Sequence, residues 1–239
     1  MSDPEPVSDR LKGLLPTLSV GVLAADLMNL ERDVRLLEQA GVKILHFDIM
    51  DGCFCPMLTV GPQFVKAVKT SLLKDVHLMI QHPLSKIDSY VTAGADMLTV
   101  HIENCLHPHR IFQALGQMAG PSGKPMRGAG LNPGTPLSVV EPLLDELEMV
   151  FLLAVNPGWG GQKFIDSTRQ RIENLQEMIR KSGRDILVGL DGGITRSNIF
   201  DTAKTGANII VTGSAVFESG KISENAGYML EAVTSANRN

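Results

Sequence analysis

Short apolar runs alternate with amphipathic stretches along the whole chain. The runs fall at 18–23, 44–48, 75–79, 97–101, 128–131, 149–155, 186–190 and 209–212. Most are continuous rather than strictly alternating, which suits parallel strands covered on both faces. Between them, segment 29–40 carries Leu30, Val34 and Leu37 at helical spacing, with charges in between. Segments 64–72, 86–93, 111–118, 137–147, 169–181, 197–205 and 224–234 repeat that pattern and predict helices. Gly41, Gly94 and Gly206 stand where helices should stop. Each belongs to a phrase that joins a helix end, a glycine and a strand start: Gln39-Ala40-Gly41-Val42, Thr92-Ala93-Gly94-Ala95-Asp96 and Thr205-Gly206-Ala207-Asn208.

Eight strand–helix units in about 220 residues predict an α/β fold, a single-domain (β/α)8 TIM barrel. A doubly wound open sheet is the competitor, but its ligand site draws on few strands at one switch point. Here polar residues punctuate many strand ends: Asp26, Asp48, His77, His101, Asn132, Asn156, Asp191 and Ser214. A closed barrel gathers all those ends at one mouth. The expected layout is a disordered or extended lead-in over 1–15, the barrel over 16–234, and a frayed tail over 235–239.

Composition narrows the possible partners. The chain has 239 residues, 44% hydrophobic and 20% charged, an ordinary globular balance. A net charge of −4 supplies no basic field, which excludes a nucleic-acid partner. No apolar run approaches the ~20 residues that span a bilayer, so no membrane partner is expected. Met1-Ser2-Asp3-Pro4-Glu5-Pro6 lacks the basic and apolar regions of a signal peptide, and a cytoplasmic location is expected. Cys53, Cys55 and Cys105 make an odd set, read as reduced thiols. Cys53-x-Cys55 has neither the C-x-x-C spacing nor the second pair of a structural zinc site.

The chemistry concentrates at strand ends. His46 and Asp48 are two apart after the apolar run 42–45, so on a strand they project from one face. His77 and Asp191 end two later runs. Two imidazoles and two carboxylates at one mouth suit a single Zn²⁺, Fe²⁺, Mn²⁺ or Co²⁺. Taken singly, each residue has a plainer reading: a capped or core histidine, an Asp48 that caps a turn, an Asp191 that caps a helix. Asp51-Gly52 is a turn dipeptide, and Met50 and Met79 suit soft packing. Taken together, Asp48 and Asp191 beside one ion can remove a proton from one face of a carbon and return it to the other. Three glycine-rich loops follow in the last units: Asn156-Pro157-Gly158-Trp159-Gly160-Gly161-Gln162, Asp191-Gly192-Gly193-Ile194 and Gly213-Ser214-Ala215. Loops in these positions of a barrel commonly hold phosphate through backbone N–H groups.

With those residues in view, the chain resembles the ribulose-phosphate 3-epimerase family from about Leu18 to Glu218. The matching phrases include His46-Phe47-Asp48-Ile49-Met50-Asp51-Gly52, Asp75-Val76-His77-Leu78-Met79, Val100-His101-Ile102-Glu103 and Gly130-Leu131-Asn132-Pro133-Gly134-Thr135. They continue through Asn156–Phe164, Asp191–Ile194 and Gly213–Phe217. The resemblance implies one divalent metal, zinc first, on His46, Asp48, His77 and Asp191. It implies that Asp48 and Asp191 move the C3 proton of a ketose phosphate through a cis-enediolate stabilised by the metal, converting D-ribulose 5-phosphate to D-xylulose 5-phosphate. It further implies substrate contacts from His77, Gly158, Trp159, Gly160, Gly161, Gly192, Gly193, Gly213 and Ser214, a homo-oligomer, and a place in the carbohydrate metabolism of the pentose phosphate pathway.

The chain departs from the family pattern at neighbouring positions. Gly21 stands where a substrate-contacting Ser is usual, Cys53-Phe54-Cys55-Pro56-Met57 replaces His-Phe-Val-Pro-Asn, and Leu153 replaces a Met. A different ketose phosphate, of the allulose 6-phosphate type, is therefore the alternative substrate, since polar pockets discriminate strongly. Two further readings remain: a decarboxylase or synthase barrel with an Asp–Lys centre, and a non-catalytic sugar-phosphate-binding barrel. The first wants a Lys among the strand-end acids, but Lys43 precedes the site strand by register, and Lys74 and Lys163 fall outside the phrases that carry the candidate metal ligands.

Overall fold

The computed structural model of the protein describes residues 6–236. A short helix, α1 (Val7–Leu11), precedes the first strand. The strands are β1 (Thr17–Gly21), β2 (Ile44–Met50), β3 (Leu73–Met79), β4 (Met97–His101), β5 (Met126–Leu131), β6 (Met149–Leu153), β7 (Leu187–Asp191) and β8 (Ile209–Thr212). Each pairs in parallel with the next, and β8 returns to β1, which closes the barrel. The helices between and after them are α2 (Leu30–Gln39), α3 (Pro62–Ala67), α4 (Ile87–Thr92), α5 (Pro108–Gln117), α6 (Ser167–Ser182), α7 (Ile199–Ala203), α8 (Ser214–Phe217) and α9 (Ile222–Ser235). Among the described residues, no helix is long and apolar enough to cross a membrane.

All eight strand expectations hold, to within two residues at either end. Helices at 29–40, 169–181 and 224–234 match closely, and Gly41 at φ 90° supplies the left-handed turn out of α2. Segment 137–147 is not an α-helix. It forms two 3-10 turns, Leu137–Val139 and Glu141–Glu146. Pro142 is the reason, because it lacks an N–H and clashes with the preceding turn of an α-helix.

The core has two layers. Leu45, Phe47 and Ile49 of β2, with Val76 and Leu78 of β3, face outward and pack under the helices. Ile44, Leu73, Met97, Met126, Met149, Phe151 and Ile209 fill the lower barrel interior. Val7 and Leu11 join that inner cluster with 2% and 1% exposure, so α1 stoppers the N-terminal end. Arg10 Nη1 pins it by donating to Asp96 Oδ1 at 2.8 Å. The expected lead-in over 1–15 is thus corrected: residues 7–11 are helical and their apolar side chains are core, while 1–5 lie outside the described residues. The frayed tail is corrected likewise at its start. Ser235 ends α9 and Ala236 is buried, whereas 237–239 lie outside the described residues.

Candidate active site

The register between β2 and β3 builds the site. His46 pairs with Asp75 and Asp48 with His77, so alternate residues of both strands point into the barrel as two stacked polar rows. Asp191 arrives from the end of β7. One ligand atom from each of His46, Asp48, His77 and Asp191 lies within 4.8 Å of the other three. The structure therefore brings together the four candidate metal ligands from three strands.

The two imidazoles are buried and oppositely oriented. His46 Nδ1 is 2.7 Å from Asp75 Oδ2, and its Nε2 is 3.1 Å from Asp48 Oδ1. Ser19 Oγ donates to the same Asp75 oxygen at 2.9 Å. His77 Nε2 is 2.8 Å from His101 Nε2, and His101 Nδ1 is 3.1 Å from Glu103 Oε2. His77 Nδ1 lies 3.4 Å from Asp48 and 4.0 Å from Asp191, within electrostatic reach but without a directed hydrogen bond. A buried imidazole nitrogen aimed at two carboxylates with no hydrogen-bond partner is what a metal ligand requires before it is loaded.

Phe151 supports the cluster from below. Its ring stacks on His46 at 5.7 Å and sits 5.1 Å from His77. Thr59 fixes the end of β2, its hydroxyl donating to Asp48 O at 2.7 Å while accepting from Met50 N–H.

The carboxylates differ in charge state. Burial pushes the Asp48 carboxyl up, but the charge and hydrogen bond of His46, with His77 beside it, hold it well below the usual range. Burial and the neighbouring Asp48 charge push Asp191 up to about 7, against the opposing pull of His46. Burial opposes a charge on His46, yet Asp75 and Asp48 raise its pKa well above the ordinary histidine value. Burial drives His101 down to about 4.

Above the cluster opens a cavity of about 750 Å³. Asp48 and Asp191 form part of its wall, and Gly158, Trp159, Gly160, Gly161, Gly192, Gly193, Gly213 and Ser214 line it too. His46 and His77 lie beneath, fully buried. The loops are preformed. The Gln162 amide donates to Asn156 O and Trp159 O and accepts from Asn156 N–H. Asn198 donates to Gly193 O at 2.8 Å. A Cβ at Gly193, where φ is 68°, would stand 2.5 Å from Phe164 N, so that turn excludes other residues. Among the departures, Gly21, Met57 and Leu153 face the cavity, whereas Cys53 is exposed outside its lining. Asp51 does serve a turn, its carboxylate accepting from Cys53, Phe54 and Gln81 N–H groups.

Sequence reasoning passed over Ser19, Asp75 and Glu103, and took His101 only as a strand end. The signal was present: each lies on the inward face in the same two-residue period as His46 and His77, or just beyond it.

The model of the ribulose-phosphate 3-epimerase family matches residues 17–217. The chain is 41% identical over 199 residues to the ribulose-phosphate 3-epimerase of Bacillus subtilis, covering 82% of this chain and 89% of that one. It is 39% identical over 204 residues to the chloroplastic ribulose-5-phosphate-3-epimerase of Arabidopsis thaliana, covering 84% and 71%. The solved structure of KGPDC from Streptococcus mutans superposes with a TM-score of 0.67 at 13% identity, covering 93% of this chain and 99% of that one, a likeness of fold alone.

Proposed function

The chain belongs to the ribulose-phosphate 3-epimerase family and is an isomerase, and from that premise we propose that it inverts C3 of a ketose phosphate, D-ribulose 5-phosphate first. The observation that carries the reading is the pair Asp48 and Asp191, two carboxyl groups on one cavity wall with protonation states pushed apart. Such a split marks the base and the acid of a proton transfer. Ionised Asp48 is suited to take the C3 proton, leaving the electron pair to delocalise into the C2 carbonyl. Protonated Asp191 is suited to deliver a proton to the opposite face of C3, and the roles exchange in the return direction.

His46, Asp48, His77 and Asp191 fit a divalent ion by donor set and by the orphaned His77 Nδ1. Zinc is the first candidate, with iron, manganese or cobalt as alternatives. When bound, the ion supplies Lewis-acid stabilisation of negative charge on the sugar oxygens. The chain's own groups do the rest. The loops at Gly158–Gly161, Gly192–Gly193 and Gly213–Ser214 hold the phosphate, and that remote contact orients C3 between the acids.

Proton NMR with D-ribulose 5-phosphate in D₂O tests the reading on metal-replete protein. Deuterium should enter at C3 as xylulose 5-phosphate appears. Gly21 and Leu153 give the cavity wall no polar side-chain atom, which favours a second reading, a ketohexose 6-phosphate. If ribulose 5-phosphate stays protonated while a ketohexose 6-phosphate exchanges, the second reading replaces the first.

A further inference from the structure

We propose that His101 and Glu103 are positioning residues that lock His77 in the one tautomer able to bind metal through Nδ1. The inference rests on the four-ligand site proposed above. Two nitrogens 2.8 Å apart, His77 Nε2 and His101 Nε2, share a single proton, and whichever ring holds it is the donor. Glu103 decides which. Its carboxylate is an acceptor, so His101 Nδ1 must carry hydrogen to meet it at 3.1 Å. A neutral His101 protonated at Nδ1 then presents a lone pair at Nε2. His77 must donate to that lone pair, which places its own proton on Nε2 and frees Nδ1 toward Asp48 and Asp191.

The chain of hydrogen bonds is anchored at its far end. Glu103 Oε1 accepts from Asn132 N–H at 2.6 Å and from the Thr135 hydroxyl, both in the loop after β5. Glu103 therefore cannot swing away without undoing that loop. His101 is buried between the Phe54 ring at 4.8 Å and the His77 ring at 5.0 Å, which leaves it little freedom to flip. Gly130 matters for the same reason. A Cβ there would lie 3.1 Å from the His101 ring, so the glycine keeps the ring's place open.

The arrangement mirrors the other histidine with reversed nitrogens. Asp75 takes the Nδ1–H of His46 directly and leaves Nε2 for the ion. His77 faces the site by Nδ1, and no carboxylate among the described residues reaches its Nε2, so a second imidazole carries the influence of Glu103 across. Outer partners of this kind typically govern metal affinity by about 10–100-fold.

The test is zinc affinity, measured by competition with a chromogenic chelator, for wild type and for His101→Leu, Glu103→Ala and Glu103→Gln. Circular dichroism checks each fold. His101→Leu and Glu103→Ala should bind zinc about 10–100-fold more weakly. Glu103→Gln should restore most of the affinity, because its amide oxygen can still accept from His101 Nδ1, although its loop contacts change. Nitrogen-15 spectra of the imidazoles in zinc-loaded wild type should show His77 protonated at Nε2 and His101 at Nδ1. A purely structural role would not dictate that pattern, and the measurement needs no variant to fold. Wild type that binds zinc, with folded variants binding equally well or with His77 protonated at Nδ1, overturns this inference alone. Wild type that binds no divalent metal overturns the metal site and this inference with it.

Discussion

Asp48 and Asp191 are the same side chain in one cavity, and their surroundings make them different. His46 and His77 stabilise the charge on Asp48, while Asp191 meets burial and the Asp48 charge. Either Asp→Asn change removes one proton carrier without altering shape. Turnover should fall by at least about 10²–10⁴-fold, the usual share of an acid or base, with an unchanged circular dichroism spectrum. Near-normal turnover in a folded variant would end the two-acid assignment. A second expectation concerns pH. His46 is held charged by Asp75 and Asp48, so near pH 6 its imidazole holds a proton that an incoming cation must displace. Zinc affinity should therefore rise with pH through neutrality. Calorimetry in buffers of different ionisation enthalpy should show the released protons, and a heat independent of buffer would contradict this.

At the scale of elements, glycines inside the barrel make room for the large rings beneath the site. A Cβ on Gly189 of β7 would stand 2.2 Å from Phe151 Cδ2. Gly189→Ala should shift Phe151 from under His46 and His77 and lower stability by about 1–3 kcal/mol, read by urea denaturation. An unchanged midpoint would show that the ring relocates freely. The strands themselves were legible because their outward residues, such as Leu45, Phe47 and Ile49, are uniformly apolar. His46 and Asp48 were legible as a pair because i and i+2 share a face of any strand. The contact between His77 and His101 was not, since it depends on the stagger between β3 and β4, a tertiary quantity. The 3-10 turns around Pro142 were hidden by an apolar spacing that looked helical despite the proline. The glycine loops were legible as positions, but the side chains that stitch them, Gln162 and Asn198, carry no sequence signal apart from their loops.

The whole molecule depends on α1 more than its five residues suggest. Its length gives too little periodicity to recognise, and the acidic, proline-rich start disguises it. Leu11 is the inner core's cover on the N-terminal side, so Leu11→Ala should cost about 2–5 kcal/mol. The melting temperature should drop, while epimerisation measured well below that temperature persists because the opposite mouth is untouched. A melting temperature equal to wild type would mean that the lower interior is sealed without it. That seal has a consequence for traffic. Among the described residues α1 closes the N-terminal side and the cavity lies at the opposite end, so in the reaction proposed above an arriving sugar and its departing epimer share that mouth in turn. On that proposal the two epimers differ only at C3, and both present the same phosphate to the same loops. Both directions then pass the same mouth, and the net flow through it follows from the concentrations outside.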